Sequence, residues 1–276
     1  MLAQTFVINL DRDNDRMAHM CAQLRAAGLE FTRFPAIDGA NLPAHLQAYF
    51  ARCRTLSPGE IGCYASHLEI CRMVAAGAAP SPLLVLEDDV ALSPGFADTL
   101  ERLLAALPAK WDFVRLSYPT KRATIHVAPL TRGFDLVRYT QVPTSTGAYL
   151  LSASGARKFL KARTRELPVD LDLRRVWAWD IETLGVSPPP VRNDCLGVSS
   201  IEKLSPGGRD SAARFAWMRA KRLIETPLRH AHGMRAFGPA RWTALEAVNF
   251  IGRVMPRRRR PALYAWASTA LARRPA

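Results

Sequence analysis

The sequence predicts an α/β protein in which helices flank a mostly parallel β-sheet, followed by a basic α-helical C-terminal region. Short, continuous apolar runs alternate with amphipathic stretches, which is typical of strands buried between two helical layers. The chain has 276 residues, of which 49% are hydrophobic and 22% charged. This composition supports a buried core and excludes a disordered chain. Nearly all of the formal net charge of +14 lies beyond residue 202.

The elements are predicted in order from hydrophobic periodicity and turn residues. Strands are predicted at short apolar runs: residues 5–10, 31–34, 83–86, 112–116 and 147–151. Helices are predicted where apolar residues recur at helical spacing: residues 11–28, 57–76, 93–107 and 154–161. The helix at 57 has the clearest start, because Ser57 can act as N-cap, Pro58 suits the first helical position and Glu60 completes a capping box.

Two domains are expected, a nearly neutral body at 1–202 and a basic helical region at 203–276. No apolar run reaches the roughly 20 residues that cross a bilayer. The first residues lack the basic start and cleavage site of a signal peptide. We therefore expect a cytoplasmic protein with reduced thiols at Cys21, Cys53, Cys63, Cys71 and Cys195. Cys63 and Cys71 are interpreted as small apolar residues, with no histidine at a ligand spacing.

The acidic triplet Glu87, Asp88 and Asp89 is the most specific feature of the sequence. It directly follows the apolar strand LLVL, and ligands of open α/β sheets bind at the C-terminal ends of strands. Adjacent carboxylates repel one another and lose solvation when they are buried. A divalent cation relieves that repulsion, and oxygen ligands favour Mg²⁺ or Mn²⁺ over Zn²⁺. The alternative is a helix N-cap with solvated neighbours.

Two classes of α/β protein place carboxylates in this way. A phosphoacceptor receiver domain has paired aspartates after its first strand, whereas Asp88 and Asp89 follow two strands and a long helix. A nucleotide-sugar glycosyltransferase has an acidic motif after a middle strand, where it holds the diphosphate through the metal. The position favours the glycosyltransferase. A non-catalytic nucleotide-sugar or membrane-surface binding protein on the same scaffold is a further alternative.

Seven segments, in order along residues 5–202, resemble glycosyltransferase family 25, the bacterial lipooligosaccharide and lipopolysaccharide core glycosyltransferases related to collagen galactosyltransferases. The segments are FVINLDRDNDR (6–16), FTRFPAIDG (31–39), LSPGEIGCYASHLEICR (56–72), LLVLEDDV (83–90), WDFVRL (111–116), TGAYLLSASGARKFL (146–160) and PVDLDL (168–173). The resemblance implies a GT-A-like, Rossmann-like fold. It also implies metal-dependent, inverting transfer of a sugar, commonly galactose from a UDP-sugar.

The resemblance also implies roles for the acidic motif. Asp89 is expected to bind the metal directly, and Glu87 or Asp88 to bind the metal, the ribose or the donor sugar. We assign Glu87 to the metal and Asp88 to the donor. A cation there stabilises the charge that develops on the departing diphosphate.

Residues around the first two strands are candidates for the nucleotide pocket. Asn9, Asp11 and Arg16 stand where the first strand opens into its helix, and Arg16 can meet a phosphate. Asp38 and Gly39 can contact the ribose or base. The plain alternatives are a helix-surface arginine and an ordinary turn.

The helix that starts at Ser57 supplies three more candidates, Glu60, Ser66 and His67. Glu60, Cys63 and His67 share one helix face, and Ser66 or His67 can reach the donor if that face lies against the strand that ends in Glu87. The alternatives are a capping role for Glu60 and a hydrogen-bonded core position for His67.

An inverting transferase needs a carboxylate base outside the metal motif to take the proton of the acceptor hydroxyl. Asp170 is the candidate, with Asp172 and Asp180 behind it, and its alternative role is a helix cap. Tyr149 and Ser152 are expected on the acceptor side. The segment 188–200 can close over the diphosphate.

The basic region has three interpretations: binding to nucleic acid, a solvated helical cap, and attachment to an anionic membrane surface. The third fits best, because polybasic clusters are attracted to anionic leaflets and the apolar run 262–272 suits an interfacial helix. The expected partners are thus a nucleotide sugar, a glycan or glycolipid acceptor and the inner face of the cytoplasmic membrane, rather than nucleic acid.

Overall fold

The computed structural model of the chain describes residues 4–131, 133–193 and 212–272. Its main sheet has eight strands in the order β2-β1-β3-β8-β5-β9-β7-β6, and β4 pairs with β10 in a small second sheet. The strands are β1 (Gln4–Asn9), β2 (Thr32–Pro35), β3 (Leu83–Glu87), β4 (Val90–Leu92), β5 (Phe113–Arg115), β6 (Thr124–Thr131), β7 (Phe134–Tyr139), β8 (Ala148–Leu151), β9 (Thr183–Ser187) and β10 (Val191–Asn193).

The helices within the body are α1 (Asn14–Ala26), α2 (Ala44–Phe50), α3 (Pro58–Ala75), α4 (Phe96–Ala106), α5 (Ala153–Phe159), α6 (Val169–Leu173) and α7 (Val176–Trp179). Three C-terminal helices follow: α8 (Ala212–Phe237), α9 (Pro239–Val254) and α10 (Arg260–Ala270). No helix among the described residues has the length and apolar character that a membrane crossing requires.

The α/β prediction is confirmed. In the main sheet only β7 and β8 run against the common strand direction. One face packs on α3 and α5 through residues such as Tyr64, Leu68 and Phe159. The other face packs on α1 and α4 through residues such as Leu24 and Leu100. Both faces of the sheet are thus covered, which explains the continuous apolar strands.

Every strand and helix predicted in the body is present, but several further elements, including β6, β7, β9 and α2, were not predicted. Pro227 lies inside α8. The boundary predicted at 202/203 falls outside the described residues, so the division into two domains stays a prediction.

The C-terminal helices pack on the body. Leu245 and Val248 of α9 and Ala267 of α10 form a small core with Ile125 of β6 and the preceding Ala123. Much of the apolar run 262–272 is therefore packed against protein, although Trp266 is 60% exposed.

Candidate active site

Five strands bring polar residues to one edge of the sheet. β1, β3, β5 and β9 end at this edge, and β8, which runs the opposite way, begins there. Asn9, Glu87 and Arg115 close β1, β3 and β5, while Thr146 stands just before β8. The strand order therefore gathers residues that are far apart in sequence, as expected for an α/β site.

Asp88 is held by residues of the first strand and helix. The Asn9 side-chain amide donates to Asp88 Oδ2 at 2.7 Å, and Arg16 Nη1 lies 3.3 Å from Asp88 Oδ1. Burial raises the pKa of Asp88, and these two partners oppose that shift. Asn9 and Arg16 thus meet the acidic motif directly, and the helix-surface alternative for Arg16 is excluded.

Asp89 carries a carboxylate oxygen that has no protein partner among the described residues. This oxygen, Oδ1, is buried and accepts no hydrogen bond from them. Burial, followed by the charges of Glu87 and Asp88, raises the pKa of Asp89 to about 7. An orphaned buried carboxylate oxygen beside two more carboxylates is the donor set that a divalent cation satisfies.

Glu87 is fixed by groups from α3 and from the segment before β8. Glu87 Oε1 accepts from Thr146 Oγ1 and lies 3.3 Å from His67 Nε2, while His67 Nδ1 lies 2.8 Å from the Tyr149 hydroxyl. Burial would raise the pKa of Glu87, but His67 and Thr146 outweigh it and hold the pKa below its usual value. The face of α3 that carries His67 therefore lies against the end of β3, which is the condition under which Ser66 or His67 can reach a donor there.

Cys63 requires a correction. It was expected to have no histidine at a ligand spacing, yet its thiol groups with His67 and Glu87, and the potential ligand atoms all lie within 4.8 Å of one another. His67 is one helical turn beyond Cys63, so the i, i+4 spacing joins them. Burial raises the pKa of the Cys63 thiol well above its usual value, which weakens it as a ligand. Cys71 is buried in the core, as predicted, and Cys195 lies outside the described residues.

Arg115 and Asp170 lie close enough to each other and to Glu87 for their charges to interact. Arg115 is fully buried, and none of its three guanidinium nitrogens has a hydrogen-bond partner among the described residues. Burial raises the pKa of Asp170; the Leu171 and Ser145 backbone N–H groups and the Arg115 charge lower it, and the Glu87 charge raises it. Asp170 is thus within electrostatic reach of the acidic motif.

Ser145 has a backbone φ of 95°. This conformation is costly for a non-glycine residue, and such residues cluster at functional sites. Its backbone N–H supports Asp170 while the next residue, Thr146, supports Glu87. The loop therefore links the two carboxylates.

A cavity of about 370 Å³ opens beside the acidic motif, within the size range of small-ligand sites. Asn9, Arg16, Ser66 and His67 line it together with the acidic triplet, and so do Asp38 and Gly39. Most candidates from the first two strands, α3 and β3 therefore share one cavity, whereas Asp11 and Glu60 do not line it.

Several candidates in or near the cavity have structural partners. The Asp38 carboxylate accepts hydrogen bonds from the Ala40 amide and the Asn41 side chain. These bonds fit the alternative in which Asp38 belongs to an ordinary turn. The Ser66 hydroxyl donates to the Gly62 carbonyl and accepts from the Ile37 amide.

Glu60 and Asp11 do not line the cavity. The Glu60 carboxylate completes the capping box with Ser57 and pairs with Arg214 Nη2 at 2.8 Å. The structure therefore supports the capping alternative for Glu60. Asp11 is largely exposed and pairs with Arg33.

Two expectations for the acceptor side are wrong. Tyr149 is fully buried against His67, and the Ser152 hydroxyl caps α5 by accepting from the Gly155 amide. Among the other base candidates, Asp172 is buried and bonded to the Tyr64 hydroxyl and Arg175. Asp180 is exposed at the end of α7. Asp170 is the candidate base that faces the acidic motif. Residues 194–200 of the predicted closing segment lie outside the described residues.

Arg115 and Thr146 were not predicted as site residues. The sequence gives one indication for Arg115, because it is a charged residue near the end of the apolar strand in WDFVRL. Thr146 carries none, because its role depends on β8 lying next to β3.

Together the fold and the site define an α/β protein with a candidate cation site and a small-molecule cavity at one sheet edge. The family model described as "Glycosyltransferase family 25 (LPS biosynthesis protein)" matches residues 2–173. The chain belongs to glycosyltransferase family 25.

Relatives include a human protein named "Inactive glycosyltransferase 25 family member 3". It is 29% identical over 265 residues, which cover 81% of this chain and 43% of that protein. A Drosophila pseudoobscura pseudoobscura protein named "Glycosyltransferase 25 family member" is 31% identical over 185 residues, or 61% of this chain and 29% of that protein. The chain thus spans less than half the length of these relatives.

Among solved structures, a mutant Drosophila galactosyltransferase 7 in complex with manganese, UDP-Gal and xylobiose is similar at a TM-score of 0.34 and 8% identity. The similarity covers 78% of this chain and 79% of that one.

Proposed function

We propose that this chain is a metal-dependent, inverting glycosyltransferase that moves galactose from UDP-galactose to a lipopolysaccharide or lipooligosaccharide core glycan. The observation that carries the proposal is the orphaned Asp89 carboxylate in a cavity that also receives Asp88, Glu87 and His67. Membership of glycosyltransferase family 25, whose description includes lipopolysaccharide biosynthesis, supports a sugar donor and a glycan acceptor.

Asp89 and Glu87 would hold the cation, because both project carboxylate oxygens at the edge of the cavity. Three carboxylates favour Mn²⁺ or Mg²⁺. Once bound, the cation would neutralise charge on the diphosphate leaving group. Asn9 and Arg16 hold Asp88 in place, so this carboxylate is oriented for the donor before it binds.

Asp170 acts as the general base in this proposal. Its carboxylate takes the proton of the acceptor hydroxyl as the acceptor oxygen bonds to the anomeric carbon and the bond from that carbon to the diphosphate oxygen breaks. Arg115 favours the ionised form of Asp170 by its positive charge. The Ser145 and Leu171 backbone N–H groups fix the orientation of the carboxylate.

Turnover separates this function from the non-catalytic alternative, which the names of the inactive relatives keep open. The measurement is UDP release from UDP-galactose, with Mn²⁺ and a core glycan acceptor. Asp170→Asn should lower kcat by about 10²–10⁴-fold without weakening donor binding, and Asp180→Asn should leave kcat unchanged. Absence of turnover with every nucleotide sugar and acceptor tested would favour the binding protein.

We also propose that the C-terminal helices attach the protein to an anionic membrane surface at the cytoplasmic face. Leu223 and Ile224 of α8 and Phe250 and Val254 of α9 are all more than half exposed. The exposed basic run 257–259 begins three residues after the last residue of α9. Apolar side chains next to clustered arginines are the combination that binds anionic lipid surfaces.

A further inference from the structure

A second and larger cavity lies between the body and the C-terminal helices. Its volume is about 670 Å³, and its walls come from α6, α7, α8 and α9 and from the segments around Arg122 and Gln141. Leu171 and Arg174, on or directly after the short helix that carries Asp170, line it. The cavity therefore adjoins the helix that carries the proposed base.

Positive charge in this cavity exceeds what the neighbouring carboxylates neutralise. Three of its basic residues form ion pairs: Arg175 with Glu225, Arg229 with Glu246 and Lys221 with Glu166. Five arginines in the lining have no carboxylate partner among the described residues: Arg122, Arg174, Arg219, Arg222 and Arg253.

The unpaired arginines lie close enough to affect one another. Burial, followed by the charges of Arg222 and Arg122, lowers the pKa of Arg174. Burial and the charge of Arg253 likewise lower the pKa of Arg122. The Arg174 Nε is in addition buried without a hydrogen-bond partner among the described residues. Burying several positive charges close together costs free energy. A cluster of this kind that also has unsatisfied N–H donors is typical of a site that binds an anion.

We propose that this cavity binds an anionic acceptor glycan, with a phosphate or carboxylate group on the unpaired arginines and the accepting hydroxyl directed toward Asp170. Trp177 and Phe215 also line the cavity, and their rings offer apolar surface to the C–H face of a sugar. The orientation toward Asp170 rests on the glycosyltransferase function proposed above, whereas the anion site itself does not. Arg174 lies close enough to Asp170 for the two charges to interact, so the cavity is adjacent to the proposed base.

The test measures binding of three sugars by calorimetry: glucose 6-phosphate, glucuronate and glucose. One variant combines Arg174→Gln with Arg222→Gln, and a matched control combines Arg102→Gln with Arg157→Gln on exposed helix surfaces. Asp89→Asn reports on the other cavity. At least one anionic sugar should bind more tightly than glucose, and its affinity should fall about tenfold or more in the Arg174/Arg222 variant alone. The preferred probe tells phosphate from carboxylate.

Three results would overturn the proposal. These are equal binding of glucose and the anions, no binding of either anion up to about 20 mM, and anion binding that Asp89→Asn abolishes but the arginine variant does not. Since the measurement needs no turnover, an arginine-dependent anion site in an inactive protein would refute only the proposed transferase. Conversely, turnover with arginine-independent anion binding would refute only the cavity.

Discussion

Arg115 is a buried positive charge that affects the pKa of the proposed base, Asp170. It is buried beside Asp170 and Glu87 without a hydrogen-bond partner among the described residues. In the proposed mechanism Asp170 must be ionised to act as the base, so we expect activity to fall as the pH drops through its pKa. Burial already raises that pKa, and Arg115 and Arg174 oppose the shift while Glu87 adds to it.

Arg115→Gln should therefore raise the pKa of Asp170 further and move the acidic limb of the kcat/KM profile to higher pH. The measurement is the pH dependence of kcat/KM, with Arg157→Gln as an exposed control. An acidic limb at the same pH in both variants would contradict the electrostatic role of Arg115.

Prediction at the residue scale succeeded where a signal is local. The acidic triplet and the capping box of Ser57 and Glu60 can be seen in the sequence itself. The partners of Glu87 could not be predicted in the same way, because Thr146 and Tyr149 reach it through the adjacency of β3 and β8. Tyr149 and Ser152 were wrongly expected on the acceptor side. The sequence shows where a strand ends, but it does not show which side chains the neighbouring elements bury.

Among the elements, α3 joins stability to the site. Glu60 caps its first turn and pairs with Arg214 in a largely buried contact. Glu60→Gln should lower the free energy of unfolding by about 1–3 kcal/mol, since it removes the negative charge from a buried contact with a guanidinium group. Chemical denaturation measures this loss, with the exposed Glu101→Gln as control. A large change in donor affinity with unchanged stability would instead support a role of Glu60 in donor binding.

The turn at Gly39 packs directly on α3. A Cβ at Gly39 would lie 1.9 Å from the Pro58 carbonyl oxygen and 2.6 Å from the Gly62 amide. Gly39→Ala should therefore cost about 2 kcal/mol or more of unfolding free energy, because backbone must move. Gly28→Ala, where a Cβ meets nothing within 4 Å, should cost only about 1 kcal/mol from its positive φ. Equal melting temperatures for the two variants would argue against this close packing.

Several features were not predicted, each for a physical reason of its own. β6 and β7 pair across register shifts, and Pro129 lies within β6, so neither gives a clean alternating pattern. β9 contains Gly185, whose missing side chain makes room for the Tyr139 ring. Pro227 continues α8, against the usual effect of proline.

On the scale of the whole molecule, the C-terminal helices are predicted to act as a membrane contact as well as a cap. Replacing Arg257, Arg258, Arg259 and Arg260 with glutamine should weaken binding to phosphatidylglycerol-containing vesicles by about 1 kcal/mol per residue at low salt. Co-sedimentation measures the partition, with Arg102→Gln as control. Binding that is insensitive to both salt and these substitutions would contradict attachment through this surface.

The layout of the whole molecule was predicted only in part. The sheet with two helical layers follows from hydrophobic patterning, and the basic C-terminal region follows from charge. The packing of α9 and α10 on β6 does not, because a run such as 262–272 suits a lipid surface and a protein surface equally well. The cavity between these helices and the body is a consequence of that packing.

A cation site at the acidic motif can be tested by calorimetric titration of UDP-galactose with and without Mn²⁺, in the wild type and in Asp89→Asn. Asp135→Asn serves as control, because Asp135 is half-exposed on β7 and does not line the cavity. We expect binding that requires Mn²⁺, weakens by about a hundredfold in Asp89→Asn and is unchanged in Asp135→Asn. Binding of equal strength without the metal, or in Asp89→Asn, would contradict a cation site at the acidic motif.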